Sequence, residues 1–145
     1  MTKAMLVRQF GGPEALEWSR IDLPRLKRNE VRVRHTAVGV NYIDVYDRTG
    51  LYPMPLPGIL GREAAGVVEE VGKGVKQLAP GDRDAYVLSS PGSYAEARHV
   101  PADRGVRLPP EAGTRGPAGG TVVVVGEGNK PEPRPIRVRS AHGGQ

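Results

Sequence analysis

The 145 residues include no cysteine, which excludes a disulfide framework, a thiolate zinc site, an iron–sulfur ligand and a cysteine nucleophile. A reduced, cytoplasmic setting is the corresponding expectation. Aromatic residues are scarce: one Phe, one Trp and five Tyr, with none after Tyr94. No apolar run approaches the roughly 18 residues that cross a bilayer, and the opening MTKAMLVRQF lacks the apolar core and cleavage site of a secretion signal, so a soluble, unexported chain with no membrane partner is expected. At this length the chain makes one domain and, at most, a short appendage.

Glycine and proline are what the sequence has in excess, 20 and 14 residues, close to the roughly 25–30% at which low-complexity chains begin. The excess is uneven, and so is the charge. Residues 1–113 hold 16 basic and 14 acidic side chains, whereas residues 114–145 hold 5 and 2. Two units are therefore expected: a folded domain over 1–113 and a divergent Gly/Pro/Arg-rich tail over 114–145. The tail has a strand-like TVVVV, but the rest of it cannot bury enough apolar surface to offset its ordering entropy, which makes disorder the expectation there.

Within the first unit, MTKAMLVRQF, ALEWSRIDL, EVRVRHTAV, EAAGVVEEVG, RDAYVL and SYAEARHV are short and Val/Leu/Ile-rich, separated by Gly- and Pro-containing turns. Val31, Arg32, Val33 and Arg34 alternate with period two, placing valines on one face and arginines on the other. The segment NYIDVYDR suits a short helix: Tyr42 and Tyr46, and Asp44 and Arg48, stand at i, i+4, the latter as a surface ion pair. Asn41 fits its N-cap and Asp44 an acid in its first turn. Three prolines in TGLYPMPLPG then end it. The whole reads as mainly β, a small barrel or sandwich with one helix.

Three blocks carry a family resemblance: HTAVGVNYIDVYDRTGLYP (His35 to Pro53), PGILGREAAGVVEEVGKGVKQLAPGDR (Pro57 to Arg83) and GSYAEARHVPADRGVRLPPEAG (Gly92 to Gly113). In order and spacing they resemble the start of the zeta-crystallin-like, zinc-independent quinone oxidoreductases of the medium-chain dehydrogenase/reductase superfamily. The resemblance covers about four fifths of the chain and only the amino-terminal catalytic domain of such enzymes. It implies a GroES-like, partly open β-barrel with one or two short helices, and the Rossmann domain absent. Zinc-dependent relatives read Gly-His-Glu where this chain has Gly61, Arg62, Glu63. Arginine, always protonated, has no lone pair for a metal, so neither zinc nor any other metal site is expected.

The activity implied by the resemblance is NADPH-dependent, metal-independent reduction of a quinone; reduction of an enone or 2-alkenal is the alternative within the superfamily. A noncatalytic GroES-like fragment or interaction module is the alternative outside it. By similarity, Asn41, Asp44, Tyr46 and Tyr52 are the candidate catalytic residues. Asn41 and Tyr46 would lie toward the cofactor, Tyr46 and Tyr52 would meet the quinone, and Asp44 would orient rather than donate a proton, since an ordinary carboxyl is ionised at neutral pH. Capping explains Asn41 and Asp44 equally, and half-buried packing explains the two tyrosines. Full-length relatives imply a homodimer or homotetramer.

Other features have plainer readings. Gly66, Gly72 and Gly74 read as turn and corner glycines, because no strand–GxGxxG–helix context surrounds them. VVVVGEGNK fails as a dinucleotide fingerprint at Pro131 and Pro133. His35, His99 and His142 share no metal spacing. The basic RPIRVRS lacks interleaved aromatics, so no specific nucleic-acid partner is expected. The resemblance stops at about Gly113, without the Ala-rich helix and Rossmann domain that follow in relatives; a truncated chain with a frame-shifted tail, from a coding region that favours Arg over Lys 16 to 5, is the expectation. Asp84 and Gly105 stand where the pattern calls for apolar residues, and a buried charge there would cost several kcal/mol unless paired.

Overall fold

A computed structural model of the protein describes residues 1–88, 90–109 and, as backbone, 121–124. The strands are β1 (Thr2–Val7), β2 (Leu16–Ile21), β3 (Glu30–Val40), β4 (Gly58–Ile59), β5 (Glu63–Val71), β6 (Arg83–Val87), β7 (Ala97–Pro101), β8 (Gly105–Arg107) and β9 (Thr121–Val124); the helix α1 (Tyr42–Thr49) and a short 3-10 turn over Pro13–Ala15 complete the elements. The expected segments thus become strands, SYAEARHV only from Ala97. Among the described residues two sheets, ordered β2-β1-β4 and β7-β3-β5-β6-β8, are present and do not close into a barrel. The expected domain boundary at 113 and the basic tail segment lie outside the described residues. β9, inside the expected tail, pairs with Ala37–Val40 of β3. No helix of the described residues is long and apolar enough to cross a membrane.

The period-two pattern of β3 settles its faces as expected. Val31 and Val33 are fully buried in a core with Val38, Val68, Tyr86 and Val100, while Arg32 and Arg34 on the opposite face pair with Glu70 and Glu69 of β5. Gly66 of β5 faces His35, and a Cβ there would collide with the Arg34 carbonyl, so glycine is needed for the close approach of the two backbones. β1 is joined to the second sheet through the chain before β7: Met5 N–H donates to the Tyr94 carbonyl at 2.7 Å, and Glu96 N–H to the Lys3 carbonyl at 2.9 Å.

This topology brings three chain segments to one end of the second sheet. β3 and β5 are antiparallel, with Val38 opposite Ala64, so the end of β3 meets the start of β5. β6 is antiparallel to β5 with Val87 opposite Glu63. Asn41, Arg62–Glu63 and Val87–Leu88 therefore share a rim despite their separation in sequence.

Asp84 and Gly105 meet. Asp84 is fully buried, neither carboxylate oxygen has a hydrogen-bond partner among the described residues, and a Cβ on residue 105 would collide with both oxygens. Arg107, opposite Asp84 in the ladder, pairs with Asp82 at 3.0 Å instead. Burial pushes the Asp84 carboxyl from 3.8 up to about 6, with Asp82 adding to the shift; the adjacent Ala85 N–H opposes it without reaching hydrogen-bond geometry.

Since the folded value lies above the unfolded one, this group favours the folded state when protonated. Its contribution is fully present below 3.8 and is lost as pH rises to about 6. The loss is on the order of 3 kcal/mol. Urea midpoints should therefore fall over that interval in the native chain, and Asp84→Asn should flatten this component and raise stability at neutral pH. Gly105→Ala should destabilise the native chain much more than it destabilises an Asp84→Ala background; equal effects would separate the two positions.

Candidate active-site cleft

At the rim lies a cleft of about 360 Å³ lined by Asn41, Ile43, Arg62, Glu63, Val87 and Leu88. Its floor is held by helix α1. Asn41 is extended (φ −126°, ψ 155°) and occupies the N-cap as the sequence suggests; its N–H donates to Asp44 Oδ2 at 2.9 Å, and Asp44 N–H donates to the Asn41 carbonyl at 3.0 Å. A carboxylate in the first turn also complements the positive end of the helix. Gly50, left-handed at φ 82°, closes the helix.

Two acids on one face of α1, Asp44 and Asp47, are buried, at 3% and 1% exposure. Asp44 does not pair with Arg48 as its helical spacing suggested. The helix turns Asp44 inward to accept the Tyr94 hydroxyl at 2.8 Å, while Arg48 donates to the Gly11 carbonyl at 2.8 Å. Burial, followed by the adjacent Asp44, pushes the Tyr94 hydroxyl well above its ordinary range, so it is a fixed donor. Asp47 takes Arg62 Nη2 on both oxygens, at 2.9 and 2.7 Å. Gly61 makes the turn before Arg62 at φ 88°, where a Cβ would strike the Tyr94 ring.

The four residues singled out in sequence thus divide. Asn41 reaches the cleft; Asp44 is buried beneath it, tied to Asn41 and Tyr94. Tyr46 and Tyr52 pair with each other edge to face at 5.3 Å, and Tyr46 with exposed Tyr42 at 5.2 Å, forming an aromatic row along α1 apart from the cleft lining. Tyr94, Arg62, Asp47 and Glu63 are the members of the site that sequence reasoning missed. Arg62 was visible only as a residue unable to bind metal.

Behind the wall runs a buried polar chain. His35 Nδ1 lies 2.6 Å from the Ala95 carbonyl, so it carries the ring proton, and Nε2 accepts from the Tyr86 hydroxyl at 2.8 Å. Ser93 Oγ follows at 3.1 Å from Tyr86, and Arg98 ties Ser93 to Ser90 and Pro91. Burial pushes His35 down to about 4, which keeps it neutral. His99 is held lower by burial and contacts Arg32; His142 lies outside the described residues. Among the described residues no three potential metal-binding side chains come together.

Comparison with known proteins gives a consistent kinship. The alcohol dehydrogenase GroES-like domain family matches residues 27–110. Quinone oxidoreductase 1 of Escherichia coli is 45% identical over 102 residues, 70% of this chain and 31% of that protein; a 2-haloacrylate reductase of Burkholderia is 38% identical over 114 residues, 75% of this chain and 34% of that protein. The crystal structure of E. coli quinone oxidoreductase complexed with NADPH superposes with a TM-score of 0.74 at 40% identity, covering 77% of this chain and 35% of that one. The chain spans about a third of the length of these curated relatives.

The Tyr94–Asp44 bond makes a direct prediction. Tyr94→Phe removes the donor from a buried carboxylate and should cost about 2 kcal/mol in chemical denaturation. In a cycle with Asp44→Asn the two changes should couple by about 1 kcal/mol; simple additivity would break the assignment.

Proposed function

Because the chain belongs to the alcohol dehydrogenase GroES-like domain family, we propose that it is the catalytic domain of an NADPH-dependent, metal-independent quinone reductase. The observation that carries the reading is the match to quinone oxidoreductases through the blocks that build the cleft, with Arg62 where metal-dependent relatives have a ligand histidine. Identity to a 2-haloacrylate reductase supports a second acceptor class, an activated alkene conjugated to a carboxyl group.

The residues present fit one end of the cofactor. Ile43, Val87 and Leu88 give apolar walls suited to a flat ring, and Asn41 brings an uncharged amide that can meet a carboxamide. The phosphate end is a different matter: no strand–GxGxxG–helix unit occurs among the described residues to hold it. NADPH, when bound, supplies the two electrons and one of the hydrogens. The chain's own residues orient and shield. Asn41 is fixed by its N–H bond to Asp44, and Asp44 by Tyr94, so Asp44 serves as the orienting residue and not as an acid. Tyr46 and Tyr52 stand outside the cleft lining, edge to face beside α1, where a quinone reaching past the cleft would meet them.

Titration of the whole chain with duroquinone, followed by NMR, tests this. Saturable shifts are expected at Asn41 and on the Tyr46 and Tyr52 rings, and Tyr52→Phe should weaken binding about threefold to tenfold if its hydroxyl meets the quinone. The absence of any saturable shift at these residues would overturn the reading.

A further inference from the structure

Glu63 lines the cleft at 5% exposure, and among the described residues no hydrogen bond or ion pair reaches its side chain. The groups around it are committed elsewhere. The Tyr94 hydroxyl, near enough for the Glu63 charge to help raise its pKa, donates to Asp44, and both oxygens of Asp47 hold one guanidinium nitrogen of Arg62. The Glu63 side chain lies against Gly39, where a Cβ would overlap it, so the bare backbone of β3 makes the room it occupies. Unlike the two oxygens of Asp84, those of Glu63 are not sealed off, so they face the cleft that the residue lines. A charge buried without a partner is costly to the fold, and such costs are carried where a ligand offsets them.

The surrounding groups limit what that ligand is. Asp44 and Asp47 beneath the cleft and Glu63 in its lining stand against the positive charge of Arg62, so the formal sum is negative. Ile43, Val87 and Leu88 supply apolar walls. The occupant that suits both is flat, apolar on its faces and positively charged. A compact ammonium group is strongly hydrated and loses much on entering such a space, whereas a charge spread over a heteroaromatic ring is weakly hydrated, as it is in a guanidinium. A ligand carboxylate would meet Glu63 at low dielectric, where like charges repel strongly.

We propose that the cleft is a binding site for a flat heteroaromatic cation, with Glu63 as its counter-ion. This rests on the NADPH-dependent reading and deepens it: the cation is then the oxidised nicotinamide ring, which the site holds more tightly than the neutral reduced ring. Glu63 thereby favours the charge that a neutral dihydropyridine acquires when a hydride, with its electron pair, passes to the acceptor. Asn41 serves the ring's carboxamide, and Glu63 sets the charge the site prefers.

The test titrates the whole chain by NMR near neutral pH with three rings of similar size and different charge: the 1-methylnicotinamide cation, its neutral 1,4-dihydro form and the nicotinate anion. The cation should shift the Asn41, Ile43 and Leu88 signals saturably and bind at least about tenfold more tightly than the dihydro form, with nicotinate weakest. Glu63→Gln keeps the shape and removes the charge; it should weaken the cation about tenfold and leave the dihydro form unchanged. Four results overturn the inference: no saturable shift with the cation, equal affinity for the cation and the dihydro form, a preference for nicotinate, or a cation preference that survives Glu63→Gln. The last is the result if the exposed Tyr42 ring holds the cation instead. Duroquinone, titrated alongside, separates this inference from the quinone reading. Duroquinone binding without a cation preference overturns the inference alone, and a Glu63-dependent cation preference without duroquinone binding upholds the site and removes the quinone.

Discussion

The antiparallel pairing of β3 with β5 is the constraint on which the rest depends. Its register sends Val31, Val33 and Val68 to one face, which makes the core, and leaves Arg32–Glu70 and Arg34–Glu69 on the other. Because the strands run in opposite directions, the last residue before helix α1 and the first residues of β5 emerge together. A one-residue slip would turn the apolar face of one strand away from that of the other and shift Asn41 relative to Arg62. Gly66 fixes that register from below, since only a residue without a side chain tolerates the Arg34 carbonyl at that point.

Around this frame the chain buries an unusual amount of polarity. His35, Asp44, Asp47, Glu63, Asp84 and Ser93 are all inside. Three of these six are settled by hydrogen bonds from groups far away in sequence: His35 by Tyr86, Asp44 by Tyr94 and Asp47 by Arg62. Such contacts fix geometry more than they add stability, because each must first offset the cost of leaving water. They hold α1, the Gly61–Glu63 turn and the Ser90–Tyr94 segment in one arrangement. Asp84 has no hydrogen-bond partner on either carboxylate oxygen among the described residues, and it does not belong to the frame of the site.

Local features were legible in the sequence. Period-two alternation gave β3 and its faces, and Asn41 with Asp44 gave the start of α1, since caps and alternation depend on residues within a few positions of one another. The spacing rule for Asp44 and Arg48 misled, because helical spacing permits a pair but packing decides which way the helix is rolled. Here the Tyr94 hydroxyl, 50 residues on, outbid Arg48 for the carboxylate. The same limit hid Arg62, Asp47 and Glu63. Their chemistry is ordinary until strand register puts them on one rim, and register was not written in any one segment. Tyr46 and Tyr52 were legible as aromatics near a loop, while their edge-to-face contact required the turn over Gly50 to be known.

Asp84 and Gly105 show how two anomalies of sequence can be one fact of structure. Read separately, each weakens a strand: a carboxylate in an apolar position, and a glycine where a side chain should pack. Read together, the missing side chain on β8 is the space into which the carboxylate on β6 fits. A larger residue at 105 would drive the carboxylate against the Cβ that residue carries, and a smaller residue at 84 would leave a void beside the glycine. The pair is thus sterically matched but electrostatically unsatisfied, since Arg107 is committed to Asp82. Shape was accommodated first and charge was not. The electrostatic penalty falls at the pairing of β6 with β8, on residues that do not line the cleft, so it bears on the stability of the domain while the geometry of the cleft is set by other residues.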